Sequence, residues 1–411
     1  MNFDDIVALD KADVLASKRD EFDLPANTIY LDGNSLGALP KAVKTRVAQV
    51  VSEQWGSHLI RSWNDHQWID LPSQVGEKIA PIIGAEKGQV ICCDSISINL
   101  FKLLSSALML NTGRSKVLST KDNFPTDLYM VQGLSDLLGT DLCQLKLVEE
   151  QYIEQNLTDD IAVLLLTQVN FRTGKLLNMQ KLTELAHQKG ILVIWDLAHS
   201  AGALPVELDK CNVDFAVGCG YKYLNGGPGS PAFLYVAKRH QSAVKQPLSG
   251  WMGHAKPFAF DAQYECAASI NQYLCGTPSV IAMSALDAAL DVWESVKISD
   301  VRAKSIALAD VFIALVHSHA SLADLRLSST EDSIQRGSQL AFSHNHAFAI
   351  CQALIEKGVI ADFRAPNILR FGFTPLYTSF EDVWTAVNTL VDVVTTKLYA
   401  EPRFNLAGKV T

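Results

Sequence analysis

The sequence predicts an α/β protein with a mostly parallel β-sheet covered by helices, followed by a smaller C-terminal α+β domain. Short, continuously apolar runs recur between residues 89 and 235, which is typical of strands buried on both faces. Polar segments with helical spacing separate several of these runs, as parallel crossover connections require. After about Pro278 the pattern changes to Ala-rich helical segments and mixed short strands.

Each predicted element follows from this pattern in chain order. In the first part we predict strands at residues 89–93, 116–119, 161–167, 191–196, 215–219 and 232–235, with helices at 97–110 and 179–189. In the C-terminal part we predict helices at 279–296, 298–317 and 380 to about 399, and strands at 339–343 and 367–373. The sequence shows neither an internal repeat nor a low-complexity linker.

Length, charge and cysteine content limit the possible functions. A chain of 411 residues fits two or three domains. A net charge of −9 without a basic block disfavours nucleic acid and anionic membranes as partners. There is no signal-peptide pattern and no apolar run of the roughly 18 residues that span a membrane. The eight cysteines form no CxxC pair, so we expect mostly reduced core residues in a cytoplasmic protein.

The end of the predicted strand 191–196 carries a candidate functional pair. Asp196 ends the strand, and His199 follows three residues later. Ligands of open α/β sheets bind outside the carboxyl ends of the strands, where a buried carboxylate can pair with a protonated heterocycle nitrogen. Two alternatives remain at this point: a helix N-cap at Asp196, and a metal site formed by the two residues, which lacks further ligands nearby.

A lysine among glycines follows the predicted strand 215–219. Lys222 stands in the segment GCGYKYLNGGPGSP, in which Gly226, Gly227 and Gly229 allow close approach of backbone to a ligand. A lysine buried there has a lowered pKa, as a Schiff-base lysine needs. The alternative is a surface lysine beside an ordinary turn.

Two earlier segments suggest further ligand contacts. Ser97 stands where a strand passes into a helix and is either a phosphate-binding residue or a simple N-cap. Phe124, in the segment NFPTD, either stacks on a flat ring or packs within its loop.

Together these segments resemble the fold-type-I pyridoxal-phosphate enzymes of the class-V aminotransferase group, and within it the kynureninases. The matching segments are YLDGNSLG (30–37), NFPTD (123–127), VNFRTGKL (169–176), WDLAHSAGALP (195–205), GCGYKYLNGGPGSPAF (218–233), GWMGH (250–254) and LRFGFTPLYTSF (369–380). The resemblance implies a large pyridoxal-phosphate-binding domain at 60–290 with a seven-stranded sheet. It also implies a small domain at 291–411 and an N-terminal segment at 1–59 packing against it.

The resemblance also implies roles for individual residues. Lys222 matches the lysine that forms the Schiff base with pyridoxal 5'-phosphate, Tyr221 a phosphate contact and proton relay, and Asp196 the partner of the ring nitrogen. The other implied cofactor contacts are Ile96, Ser97, Phe124, Pro125, Thr126, Asp127, Thr167 and His199, with Trp251 and Thr277 reaching the phosphate of a neighbouring subunit. Arg370 matches the arginine that binds the substrate α-carboxylate, Asn34 and Ser35 lie in a motif near the substrate, and no metal is implied. His58 matches a substrate-ring contact only loosely, because its flanking residues depart from the family pattern.

The implied activity is hydrolytic cleavage of the Cβ–Cγ bond of kynurenine or 3-hydroxykynurenine by a homodimer with shared active sites. Two alternatives stay open. One is another class-V enzyme, a cysteine desulfurase or an aminotransferase; for a desulfurase, Cys351 is the only cysteine in the C-terminal part of the chain, and it stands in a helix-like stretch. The other is a non-catalytic binding protein that retains the fold.

Overall fold

The computed structural model describes residues 1–406. Its strands are β1 (Ile29–Tyr30), β2 (Val90–Cys92), β3 (Lys116–Thr120), β4 (Gln144–Val148), β5 (Ile161–Thr167), β6 (Leu192–Asp196), β7 (Phe215–Cys219), β8 (Ala232–Val236), β9 (Arg326–Leu327), β10 (Gln339–Ser343), β11 (Val359–Ile360), β12 (Asp362–Arg364) and β13 (Ile368–Gly372). Its α-helices are α1 (Phe3–Ala12), α2 (Lys41–Gln49), α3 (Ser62–Asp65), α4 (Leu71–Ile79), α5 (Ile96–Leu110), α6 (Pro125–Leu138), α7 (Met179–Gln188), α8 (Val280–Leu290), α9 (Ile298–Ser318), α10 (Ala347–Glu356) and α11 (Phe380–Thr395).

A seven-stranded sheet forms the centre of the large domain, with the strand order β2-β8-β7-β6-β5-β3-β4. Strands β3 to β7 are parallel, whereas β8 runs antiparallel to both of its neighbours. The predicted fold class is confirmed. The apolar pattern did not reveal β4, because this edge strand is only half buried and lacks a continuous apolar run.

Helices cover both faces of this sheet, as the apolar strands require. Along β5, Leu164 and Leu166 belong to one buried cluster, while Val163 and Leu165 belong to another. Successive side chains of a strand point to opposite faces, so these clusters are the two cores above and below the sheet. Burial on both sides explains why the strand sequences are almost uniformly apolar.

The C-terminal part has a separate core around a four-stranded antiparallel sheet of order β12-β13-β10-β9. The N-terminal segment joins this core through Ile6 and Leu31, and β1 pairs in parallel with β11. The Asp10 carboxylate accepts the Phe380 and Glu381 N–H groups at the start of α11, each over 2.8 Å. The proposed divisions after residues 59 and 290 stay a prediction.

Two predicted helices end earlier than expected. The helix predicted at 279–296 begins at Val280 and ends at Leu290, where the chain tightens into a 3-10 turn over Asp291–Ser295. The last helix ends at Thr395, because Lys397 adopts a left-handed conformation with φ +56°. In the part of the chain described here, no helix is both long and apolar enough to cross a membrane.

Candidate active site

A cavity of about 200 Å³ opens at the carboxyl ends of the parallel strands. It brings together most of the residues that sequence reasoning selected, from positions more than a hundred residues apart. Its lining residues are Ser95, Ile96, Ser97, Phe124, Thr126, Thr167, Phe171, Asp196, Ala198, His199, Cys219, Tyr221, Lys222, Ser230 and Ala232.

Lys222 and His199 meet inside this cavity. Lys222 Nζ lies 2.9 Å from His199 Nε2. Burial lowers the pKa of Lys222, and the positive charges of Arg370 and Arg364 lower it further. Burial and the charge of Lys222 likewise hold the pKa of His199 well below its usual value. His199 is therefore neutral and accepts a hydrogen bond from Lys222, which contradicts the interpretation of Lys222 as an ordinary surface lysine.

Asp196, which lines the cavity, and Asp127 are two neighbouring buried carboxyl groups. Burial raises the pKa of both, and the negative charge of Asp196 adds to the effect on Asp127. Asp196 Oδ1 accepts the Ala198 N–H over 2.7 Å, and Thr167 donates to Asp127 Oδ2 over 3.3 Å. Residues 198–203 form turns rather than a helix, so Asp196 is not a helix N-cap.

The N-terminus of the 15-residue helix α5 borders the cavity. The Ser95 hydroxyl caps this helix by accepting the Ile98 N–H, so the interpretation of Ser97 as the N-cap was wrong. Ser97 stands in the first turn, and its hydroxyl and the first N–H groups of α5 face a region that favours anions.

The NFPTD segment forms the entry of helix α6. Phe124 precedes the helix, Pro125 begins it, and Asp127 lies in its first turn. The Phe124 side chain is 41% exposed, and its ring meets that of Phe171 edge to face at 5.2 Å between centroids. Thr126 also lines the cavity. The stacking of Phe124 on a cofactor ring stays a prediction.

Arg370 lies deep in the small domain, opposite Asp362 in the β12–β13 pair. Its Nε donates to Asp362 Oδ1 over 2.7 Å, its Nη2 bonds Oδ2 of the same carboxylate, and its Nη1 bonds the carbonyl of Phe171. Ser35 donates to Asp362 Oδ2 over 2.9 Å and accepts from Arg370 Nη2 at 3.3 Å. The forked edge of the guanidinium group therefore faces a carboxylate of the protein itself.

Four other predicted residues lie away from the cavity. Asn34 is buried and donates to Gln339 Oε1 over 3.2 Å. Trp251 and Thr277 are exposed and do not line this cavity. His58 is paired with His66, with 2.7 Å between Nδ1 and Nε2.

Sequence reasoning missed several residues of the site and its surroundings. Ser95, Phe171, Cys219 and Ser230 line the cavity. The last three belong to segments already considered, and Ser95 lies between the predicted strand 89–93 and the predicted helix 97–110. Asp362 had a usable signal: residues 362 and 370 flank a short turn, and an antiparallel hairpin places such residues opposite each other. The cysteines are unpaired as expected, but Cys266 is exposed rather than part of a core.

These residues fit pyridoxal 5'-phosphate, whose ring nitrogen is cationic, whose aldehyde condenses with an amine and whose phosphate is anionic. Asp127 Oδ1 is buried without a hydrogen-bond donor near Asp196, Lys222 has a lowered pKa, and α5 presents its N-terminus. Among residues 1–406 we found no group of three or more His, Cys, Asp or Glu side chains arranged to hold a metal ion.

Comparison with solved structures supports the assignment of the fold. The fold resembles an apo cysteine desulfurase from Thermococcus onnurineus NA1, with a TM-score of 0.77 and 18% identity over 92% of this chain and 98% of that chain. It also resembles the cysteine desulfurase CsdA from Escherichia coli, with a TM-score of 0.76 and 20% identity over 93% and 98% of the two chains. Fold and site together define a fold-type-I enzyme that depends on pyridoxal 5'-phosphate.

Sequence comparison then identifies the family. A kynureninase from Burkholderia pseudomallei strain 1106a is 49% identical to this chain, and one from Pseudomonas fluorescens is 46% identical; each alignment covers 99% of both chains. The model of the kynureninase C-terminal domain matches residues 301–390. The chain belongs to the kynureninase family, whose members are hydrolases acting on carbon–carbon bonds.

Proposed function

We propose that the protein uses water to split the Cβ–Cγ bond of L-kynurenine or its 3-hydroxy derivative, releasing L-alanine and the corresponding anthranilate. This reaction serves either tryptophan breakdown or NAD biosynthesis. The strongest support is the full-length similarity to kynureninases, combined with a lysine in the cavity facing two buried carboxyl groups. Pyridoxal 5'-phosphate supplies the electron sink that such a bond cleavage needs.

Lys222 is the base that removes the α-proton of the substrate. Its lowered pKa increases the fraction of neutral amine near pH 7, which a base requires. His199, held neutral by burial, accepts a hydrogen bond from Nζ and so orients the amine without competing for its proton.

Asp196 holds the proton on the ring nitrogen of the cofactor. Burial makes the ionised form of Asp196 costly in the absence of a cationic partner. Binding of a protonated ring nitrogen beside it therefore stabilises the carboxylate. Asp127 lies beside it as a second carboxyl group and is held in place by Thr167.

Tyr221 is the proton donor for addition of water to the γ-carbonyl of the substrate. Burial, together with nearby Cys219 and Asp196, raises the pKa of Tyr221. The phenol therefore stays protonated at neutral pH and can donate a hydrogen bond to the carbonyl oxygen on which charge develops.

Arg370 binds the substrate α-carboxylate. Asp362 already occupies the edge formed by Nε and Nη2, and the Phe171 carbonyl takes one N–H of Nη1, so the substrate meets the remaining N–H of Nη1 unless Asp362 moves. In either case the planar group fixes the orientation of the α-carbon and hence which bond breaks.

The active enzyme is a homodimer in which Trp251 and Thr277 reach the phosphate region of the other subunit. Both residues are exposed in the single chain. Trp251 belongs to a row of aromatic rings that runs from Trp68 through Trp63 to Phe258, with centroid spacings of 6.1, 6.3 and 5.8 Å. Phe258 at its end is 64% exposed, a surface that a second copy would cover.

The enzyme works in the cytoplasm. All eight cysteines are unpaired, and Cys92 and Cys93 remain separate thiols although they are adjacent. Unpaired thiols are typical of a reducing compartment.

Product analysis after addition of kynurenine tests the reaction. We expect anthranilate and alanine in equal amounts, and neither product from Lys222→Ala, which also loses the visible absorption of lysine-bound pyridoxal 5'-phosphate. Absence of anthranilate from the wild-type enzyme, or normal turnover by Lys222→Ala, contradicts the proposal.

The same assay separates the alternatives. A cysteine desulfurase would release alanine from cysteine, but Cys351 is fully buried in α10 and burial raises the pKa of its thiol, so it is a poor nucleophile. An aminotransferase would need a keto acid, and a binding protein would turn over none of these substrates.

Mixed subunits test the shared site. Lys222→Ala and Trp251→Ala chains should each have low activity, and a re-associated mixture should exceed the sum of the two, because one of its sites then contains both native residues. A mixture equal to that sum contradicts a shared site.

A further inference from the structure

Lys102 is a buried cation close to the start of helix α5. Its side chain is fully shielded from solvent. The ammonium group donates to Asp94 Oδ2 over 2.6 Å and to the carbonyl of Tyr273 over 2.5 Å. Helical side chains point towards the N-terminus of their helix, so this group lies back beside Asp94, directly before the capping residue Ser95.

The position of Asp94 explains why a positive charge is needed beside it. Asp94 adopts a left-handed conformation with φ +48°, and its carbonyl accepts the Ala232 N–H over 2.9 Å, which holds the turn in place. Its side chain is one-third exposed. An uncompensated carboxylate two residues before Ile96, which lines the cavity, would repel an anion at the N-terminus of α5.

The second hydrogen bond joins this turn to a distant segment. Tyr273 is buried, its hydroxyl donates to Ser106 Oγ over 3.0 Å, and the chain continues from it to Thr277. Lys102 therefore links the turn at Asp94, directly before α5, to a segment that leads towards the subunit contact proposed above. A buried ammonium group is costly unless it is paired, and here a carboxylate and a carbonyl both accept hydrogen bonds from it.

We propose that Lys102 is a positioning residue for the cofactor phosphate, because it neutralises Asp94 at the start of α5 and holds this turn against the Tyr273 segment. The inference rests on the proposed function, since it requires pyridoxal 5'-phosphate with its phosphate at α5. Lys102 acts through Asp94 and the turn, not by touching the reacting atoms.

Pyridoxal, which lacks the phosphate, separates this role from a general effect on folding. Apoenzyme is titrated with pyridoxal 5'-phosphate and with pyridoxal, and the visible absorption gives both dissociation constants. For Lys102→Met we expect affinity for the phosphorylated form to fall about tenfold or more, as loss of one nearby charge predicts, and affinity for pyridoxal to change less than about twofold. Equal weakening of both ligands overturns the proposal.

Lys304 provides a matched control. It is also a buried lysine and pairs with Asp13 over 2.6 Å, but it lies on α9 and its second acceptor is the carbonyl of Pro375. Lys304→Met loses a similar charge and should leave the ratio of the two dissociation constants unchanged. If Lys304→Met changes that ratio as much as Lys102→Met does, the loss of any buried lysine has this effect and the proposal is overturned.

A charge-neutralisation series keeps the test decisive if Lys102→Met folds poorly. Asp94→Asn keeps the charge of Lys102 and should bind pyridoxal 5'-phosphate more tightly than Asp94→Asn with Lys102→Met, in which both charges of the pair are removed. An Asp94→Asn variant that binds no tighter than this double variant contradicts the role of charge. Failure of the proposed function shows separately, as wild-type enzyme that releases no anthranilate.

Discussion

Two buried aspartates lie at opposite ends of two neighbouring strands of the central sheet, and the protein compensates their negative charges differently. Asp196 ends β6, whereas Asp214 stands directly before β7, which runs parallel to β6. Each residue is 2% exposed. Burial alone raises the pKa of an aspartate, so their difference must come from their partners.

Asp214 has donors for both oxygens. Its Oδ1 binds Arg239 at 2.6 Å and His240 at 2.7 Å, and its Oδ2 binds His187 and the Val193 N–H, each at 2.8 Å. Burial raises its pKa, but the bonds from His187 and His240 outweigh this effect, and the net pKa is lowered. The protein itself satisfies this carboxylate.

Asp196 has the opposite balance. It accepts one N–H from Ala198 and lies beside Asp127, so burial is not offset and its pKa is raised. The comparison teaches that burial does not decide whether a carboxylate is structural. Asp214, at the amino end of β7, is paired by groups of the protein itself. Asp196, at the carboxyl end of β6, needs a cation that a ligand supplies.

Asp214→Asn should produce the largest effect, and this effect should be on stability. The amide loses the charge that pairs with Arg239, His187 and His240, and breaking a buried ion pair costs about 3 kcal/mol. Denaturant unfolding of the apoenzyme measures the loss. Turnover per folded molecule should change less than about twofold; a large loss of turnover with normal stability contradicts a structural role.

Asp196→Asn should lower activity rather than stability. The neutral amide keeps the bond from Ala198 but no longer holds the ring nitrogen protonated, so we expect a loss of about 100-fold or more in kcat. The apoenzyme should be as stable as wild type or more stable, because an uncompensated buried charge is removed. An unchanged rate would remove Asp196 from its proposed role.

The two variants should also respond to pH in opposite directions. The pKa of Asp214 is lowered by folding, so its contribution is present above the unfolded pKa of about 4 and disappears as the pH falls further. The difference in unfolding free energy between wild type and Asp214→Asn should therefore become smaller as the pH falls. The pKa of Asp196 is raised, so the relative stability of Asp196→Asn should grow as the pH rises from about 4. Unfolding of both apoenzymes between about pH 3 and 7 measures these trends; parallel curves contradict the comparison.

The sequence predicted the site at the carboxyl ends of the strands, where Asp196 lies, better than it predicted the edge of the sheet. Lys222 and His199 follow buried apolar strands, and in a parallel sheet such strand ends meet. The strands themselves were recognisable because they are apolar throughout. Strand β4 was not, because an edge strand exposes part of each face and loses that pattern.

Residues that act through distant partners could not be predicted in this way. Lys102 lies 171 residues from Tyr273, and its position in an apolar helix gives no hint of the carbonyl that it binds. Asp214 likewise looks like an ordinary residue before a strand, although His187 lies on another element. Such contacts exist only after the sheet has brought its segments together, and local periodicity does not encode them.

His187→Gln should give the smallest effect and shows how the Asp214 site is built. His187 shares Oδ2 with the Val193 N–H, and Oδ1 keeps both of its donors, so no oxygen is left without a partner. We expect a loss of about 1 kcal/mol, the usual net value of one hydrogen bond, against about 3 kcal/mol for Asp214→Asn. Denaturant unfolding of both variants measures the ratio. Equal losses would mean that His187 alone stabilises the carboxylate, and the contrast with Asp196 would then rest on a single partner rather than on a complete set.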